Sequence, residues 1–231
     1  MPDIIDLPGN LSIGDRNDPQ LIATTRSGGV TLSGIEQIIS PLTQRWVWSV
    51  NIRIRREDQA RSLRVVLAQL QGRYNYLRTS ICDRYRVSRR EMGATPISGR
   101  GVPHSDGAYF SDDTGYRLAG GTAPLVASAA AGSSQIILDT SIPLVPGTFF
   151  SINSWLYVID SIEDPIDLDN PGTQRVVNVS PPLRQAVSTD DEVNFDAECL
   201  WRLAADDTGT LPLKAGRLGN VVLDLVEPVG R

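Results

Sequence analysis

Hydrophobic and polar residues alternate most plainly over RWVWSVNIRIR, residues 45–55. Trp46, Trp48, Val50, Ile52 and Ile54 fall on one face, and Val47, Ser49, Asn51, Arg53 and Arg55 on the other. Period two with a mostly polar second face predicts a half-buried strand. The rhythm changes at REDQARSLRVVLAQLQG. There Ala60, Leu63, Leu67 and Leu70 take helical spacing and Val66 widens the stripe. Glu57 and Asp58 occupy the first turn, where the macrodipole favours anions, and Gly72 stands where a glycine ends a helix. The pattern predicts one helix over about 57–71, lying on the Trp46–Ile54 face of a sheet.

Around this pair the signals are shorter. The first forty residues are turn-rich, with IGDRNDPQ, RSGG and SPLTQ between small apolar pieces. After the helix, RYNYLRTSICDRYRV reads as one or two strands. Residues 88–124 then carry Gly, Pro, Ser and Asp throughout. A weakly patterned segment of that length marks a functional extension or a domain boundary, placed here near Gly120-Gly121. From Pro124 the period is β: SSQIILD, GTFFSINSWLYVIDSI, TQRVVNVSPPL, DEVNFD and ECLWRL are strands parted by turn residues. Five strands suit a small barrel or sandwich, and Asn153-Ser154 predicts a tight hairpin inside the second. One further strand, NVVLDLVEP, is expected to return to the first domain and make the barrel an insertion.

The expectation is a mainly β chain of two domains. A β-rich N-terminal domain with one helix spans 1–119 and is completed by 206–231. A small OB-like β-barrel or a sandwich spans 120–205.

Composition narrows the class. With 41% hydrophobic and 21% charged residues the chain is globular rather than disordered throughout. No apolar run approaches the roughly eighteen residues of a membrane span, so no membrane insertion is expected. MPDIIDLPGN lacks the basic and apolar regions of a secretory signal, so the protein is expected to be made and used in a cytoplasm, or to leave the cell as part of something larger. The net charge of −5 conceals an asymmetry: thirteen Arg against four acids between Arg45 and Arg100, a local +9 that leaves −14 for the remainder. Such a chain either self-associates head to tail or presents its basic part to nucleic acid.

Catalytic chemistry finds little to work with. His104 is the only histidine, in a GVPHSDG loop, and hydrolytic triads or zinc centres need well-placed imidazoles. Cys82 and Cys199 are far apart and carry no metal or redox spacing, so two buried thiols are expected. The acids of DSIEDPIDLDNPG, Asp160 to Asp169, fail as a calcium loop because the twelfth position from Asp167 is Asn178. A solvated hairpin loop is the better reading. No cofactor is implied, and no enzyme. The strongest feature is RTSICDRYRVSRRE, whose arginines surround Tyr85. It reads first as a basic arm clasping an acidic neighbour, and second as a phosphate-binding surface. Arg53, Arg55, Arg84, Arg86, Arg89 and Arg90 are the subunit-interface candidates. Trp155 and Tyr157 are read as barrel aromatics, with contact to a glycan as the alternative if they are exposed.

The order of parts then carries a resemblance. A tryptophan-rich strand leads into a helix ending LAQLQGRYNYL, a loop-rich segment follows, and then come LVPGTFFSINSWLYVID, VSPPLR and CLWRL. This resembles the distal tail proteins of long-tailed bacteriophages and related gene transfer agents, over roughly Arg45 to Val229. The resemblance implies a structural virion protein. Its N-terminal domain would close into a six-fold ring that extends the tail tube, with a second domain on the outside. The ring would meet a tail tube protein above and a hub or tip protein below, with DNA passing through its channel. The implied place is the virion tail, assembled in the bacterial host's cytoplasm. The alternative from another class is a carbohydrate- or receptor-binding module of a tail tip, using the barrel aromatics.

Overall fold

The computed structural model describes residues 2–15, 17–23, 25–30, 33–34, 36–39, 44–81, 83, 108, 121–140, 142–163, 174–209 and 219–229. The chain is mainly β. Its elements, in order, are β1 (Ile4–Asp6), β2 (Ser12–Asp15), β3 (Gln20–Ala23), β4 (Arg26–Val30), β5 (Glu36–Ile39), β6 (Gln44–Ile54), α1 (Glu57–Leu70) and β7 (Tyr76–Ser80). There follow β8 (Thr122–Pro124), β9 (Gln135–Asp139), β10 (Phe149–Ile152), β11 (Trp155–Glu163), β12 (Gln174–Ser180), β13 (Glu192–Asn194), β14 (Glu198–Leu203) and β15 (Gly219–Val226). Two compact units divide the chain: Met1–Cys82 with Ser154–Leu156 and Glu198–Arg231, and Asp83–Asn153 with Tyr157–Ala197.

Unit 1 is built on one sheet in the order β1-β7-β14-β15-β6-β2, with β3 also paired to β6. β6 is its longest strand, and the alternation seen in sequence is the alternation in space: Trp46, Trp48, Val50, Ile52 and Ile54 are all buried. β15 runs antiparallel to β6 from Gly219↔Ile54 to Val226↔Val47, and this register places Val221, Leu223 and Leu225 on the same buried face. α1 buries Gln59, Leu63, Val66 and Leu70. Leu67 of α1 and Leu223 of β15 converge on Gly209, where a Cβ would lie 2.9 Å from one and 3.0 Å from the other. The helix therefore covers the tryptophan face.

Both ends of α1 are set by specific groups. Arg56 stands at the N-cap but has no acceptor to offer. Instead the buried amide of Gln59 reaches back, its Oε1 accepting from the backbone N–H of Arg55 at 2.8 Å and of Arg56 at 3.2 Å. Its Nε2 donates to the Asn10 carbonyl at 2.8 Å, which fastens the turn after β1 to the helix. At the other end Gln71 and Gly72 are both left-handed, at φ 48° and 64°. The Gly72 site also admits no side chain, since a Cβ would sit 2.6 Å from Oδ1 of Asp206.

One strand lies in a different sheet from the one expected. The period of ECLWRL, Glu198–Leu203, predicts a strand of the second domain. It pairs instead with β7, Glu198↔Ser80 to Trp201↔Leu77, and with β15 through Arg202↔Val226 and Leu203↔Leu225. The physical reason is packing. Cys199, Trp201 and Leu203 all point into the unit 1 core, where the Trp201 ring lies 5.6 Å from that of Trp48 and its Nε1 donates to Thr79 Oγ1 at 3.0 Å.

Unit 2 holds a six-stranded sheet, order β8-β13-β10-β11-β12-β9. Its two edges approach at one bridge, Leu125↔Leu138, beside a Val126 N–H to Ile137 O bond of 2.9 Å. The sheet thus curls back on itself, its edges meeting at that bridge rather than along a full ladder. Asn153 and Ser154 join β10 to β11 with φ of 51° and 62°, the two positive values of a type I′ hairpin turn. Phe150 is the hub of the core, 5.6 Å from the Tyr157 ring and 6.3 Å from that of Phe195.

Candidate assembly surface

One candidate surface of unit 1 lies in the stretch between β3 and β6. β3 pairs with the start of β6 from Gln20↔Val47 to Ala23↔Gln44. β15 stops opposite Val47, with Glu227 N–H bonded to the Trp46 carbonyl at 2.9 Å. Between β3 and β6 in sequence lies a separate two-stranded ribbon, or arm, of β4 against β5, with Arg26↔Ile39, Ser27↔Ile38 and Val30↔Glu36 as partners. Among the described residues β4 and β5 pair only with each other. A bulge lies between Ser27 and Val30, and Gly29 adopts φ +91° there. β4 is about 17 Å long at roughly 3.3 Å per residue. Val30 is 68% accessible and Ile38 60%, both on the face that carries the Ser27–Glu36 bond, and Ile22 on β3 is 45% accessible.

At the opposite edge of the sheet, β1 runs parallel to β7 only as far as Asp6↔Arg78. The chain then turns at Pro8, whose carbonyl accepts from Leu11 N–H at 2.9 Å. Ser80 is left without a β1 residue opposite it. A groove of about 450 Å³ opens here, its walls including Asp6, Leu11, Ile13, Arg78, Ser80 and Glu198. Arg78 grips Asp6 with two bonds, Nε to Oδ1 at 2.6 Å and Nη2 to Oδ2 at 3.0 Å. That bidentate contact holds the Asp6 carboxyl below its usual range and raises Arg78, whose charge the nearby Glu198 also favours. The groove carries two carboxylates against one guanidinium, itself engaged by Asp6.

The residues singled out in sequence fall into three groups. Arg53 is half-buried on the sheet face opposite the helix, and Arg55 is exposed just before α1. Arg84, Arg86, Arg89, Arg90, His104 and Cys82 lie outside the described residues. Cys199 is a fully buried thiol. The third group is a correction. Trp155 is 4% accessible and Tyr157 0%, so neither offers a ring face to a sugar. Trp155, Leu156 and Tyr157 are buried in succession, which means both faces of β11 are covered there and strand alternation predicts no exposed side. Tyr157 serves structure, its hydroxyl accepting from Arg184 N–H at 3.0 Å.

Sequence reasoning missed the arm and the Asp6–Arg78 contact. RSGGV and EQII are too short and too mixed to announce strands, and Asp6 and Arg78 stand 72 residues apart. The Gly28-Gly29 pair between small apolar pieces was the one local hint of a turn there. No family model and no curated protein matches this sequence.

Proposed function

We propose that this protein is a structural virion component. In this reading six copies form a distal tail ring that joins the tail tube of a long-tailed bacteriophage or gene transfer agent to its tip and continues the DNA channel. The observation that carries it is the β4–β5 arm. An isolated two-stranded ribbon is marginal in water, and this one exposes Val30 and Ile38, with Ile22 exposed on the preceding strand β3. Burying such side chains fully contributes about 1.5–3 kcal/mol each, a gain available only against another molecule. A contact between an arm and a different surface of the next copy is heterologous, and heterologous contacts that close make rings.

The charge distribution supports the same reading. By sequence, unit 1 carries fourteen basic and twelve acidic residues, and unit 2 eight and fifteen. Each copy therefore offers unlike surfaces to its neighbours. The tube protein above, the hub below and DNA in transit are the remaining partners, and the place is the virion tail, assembled in the host cytoplasm. No helix among the described residues is long and apolar enough to cross a membrane.

Removing the arm tests this. A chain in which a short Gly-Ser link replaces Arg26–Ile39 should sediment as a monomer while the intact chain sediments at the mass of six, both with the same buried-tryptophan fluorescence. An armless chain that assembles like the intact one would overturn the role given to the arm.

A further inference from the structure

The ring reading leaves open how the unlike charges of neighbouring copies meet. Two surfaces, one in each unit, have the chemistry to do so.

The first is the solvent face of α1. Arg61, Arg64, Val65 and Ala68 are exposed along it, Val65 at 55%. Among the described residues Arg61 makes one exposed i,i+4 contact, with Glu57 at 3.6 Å, a pair that water screens, and Arg64 has no ion-pair partner. Positions 61, 64 and 65 are neighbours on a helix, about 5–6 Å apart at Cβ, so two arginines and the apolar Val65 share one stretch of helix surface.

The second is the outer face of the β9–β12–β11 sheet. The register Gln135↔Asn178 and Ser161↔Asn178 puts these three side chains side by side. Asn178 Nδ2 donates to Ser161 Oγ at 2.9 Å and to Glu163 Oε1 at 2.8 Å, while Gln135 Nε2 donates to Asn178 Oδ1 at 3.4 Å. Ser180 Oγ donates to Asp160 Oδ2 across the same pair of strands. These bonds fix the two carboxylates without neutralising them. Each accepts one of these bonds through one oxygen, and both residues are exposed. Ile137, half-buried on this face, supplies an apolar spot beside them.

We propose that the Arg61/Arg64 face of α1 in one copy docks on the Asp160/Glu163 face of unit 2 in a second copy. Charge complementarity selects a second copy over an unrelated partner: the chain carries both halves, and its unit 2 as a whole bears −7. The carboxylates are pre-positioned, so docking orders only the arginine side, whose planar guanidiniums match carboxylate geometry. Asp160 and Glu163 lie at most about 10 Å apart along the strand, a span two flexible arginines cover. Because the two surfaces differ, each copy uses one toward each neighbour, as a closing ring requires.

This contact rests on the self-assembly reading, and the test separates the two. Two variants are made, R61E/R64E and D160K/E163K, and their masses are followed by mass photometry and sedimentation at about 0.1 M salt, with circular dichroism confirming the fold. Each variant alone should show apparent self-association at least tenfold weaker than the native chain. Mixing them in equal amounts should restore assembly, since the reversed helix of one then meets the reversed sheet of the other. Native-like assembly of either variant alone, or failure of the mixture to recover, would overturn the contact and leave the ring standing. A native chain that stays monomeric at every concentration would overturn both.

Discussion

Replacing Gln59 by Leu probes how the N-terminal turn, the helix and the sheet are tied together. The amide is 7% accessible and makes three bonds, two from backbone N–H groups ahead of the helix and one to the carbonyl of Asn10. A typical bond of this kind contributes about 0.5–1.5 kcal/mol net, and a buried group left without its partner costs about 1–3 kcal/mol. Leu fits the volume but satisfies none of the three, so Q59L should destabilise unit 1 by about 2–4 kcal/mol. Q59E separates the two functions of the amide. Its carboxylate still accepts from Arg55 and Arg56, but it cannot donate and turns an oxygen toward the Asn10 carbonyl, so Q59E too should destabilise unit 1. Urea unfolding followed by tryptophan fluorescence reads the effect directly, because Trp46, Trp48 and Trp201 are all buried in unit 1. Hydrogen exchange should localise it, with faster exchange at Leu11 and at the first turn of α1. Unfolding of Q59L within about 0.5 kcal/mol of the native chain, the usual range of surface changes, would refute the reasoning.

Other consequences follow from the same geometry. W201A should cost about 3–5 kcal/mol, and T79V, which strips the indole N–H of its acceptor, about 1–3 kcal/mol, both by urea titration. Gly72→Ala forces a left-handed alanine, at about 1–2 kcal/mol. It also pushes Asp206 Oδ1 off the Arg73 N–H it accepts from at 2.9 Å, so its melting temperature should fall while Gly9→Ala leaves it unchanged. Asp6 has a folded pKa below its unfolded one because Arg78 binds the carboxylate. Its contribution is therefore complete above the unfolded value, about 3.9, and lost as pH falls through the folded value. D6N should be slightly less stable than the native chain at pH 7, the pair being exposed, and the gap should narrow as pH falls.

What sequence made legible were the elements with an unbroken period. Trp46–Ile54 announces one face of a strand five times over, and Leu63, Leu67 and Leu70 do the same for the helix, so both are found within a residue of their expected bounds. The Asn153-Ser154 turn was legible from its chemistry alone. Partner choice was not. The ECLWRL strand has the same alternation whichever sheet it joins, and only the fit of Trp201 against Trp48 and Thr79 decides for unit 1. Exposure was equally hidden at Trp155 and Tyr157, because a strand covered on both faces shows no polar side to read. The Asp6–Arg78 grip and the Glu163–Asn178–Gln135 strip depend on register across strands, which local pattern does not encode.

The arm shows how such omissions bear on function. A two-stranded ribbon that leaves Val30 and Ile38 exposed gains little by folding alone. In the proposed ring its cost is recovered when the next copy covers it, which would couple folding of the arm to assembly. In the same proposal the charged surfaces of the two units act as steering elements. Exposed pairs add little affinity singly, but they orient copies and suppress wrong pairings.

The central claim is a closed ring, and the most direct measurement is negative-stain electron microscopy of the purified chain, classified without imposed symmetry. The account predicts six-fold rings with an open central channel. A field of monodisperse monomers, or of open chains that never close, would contradict it.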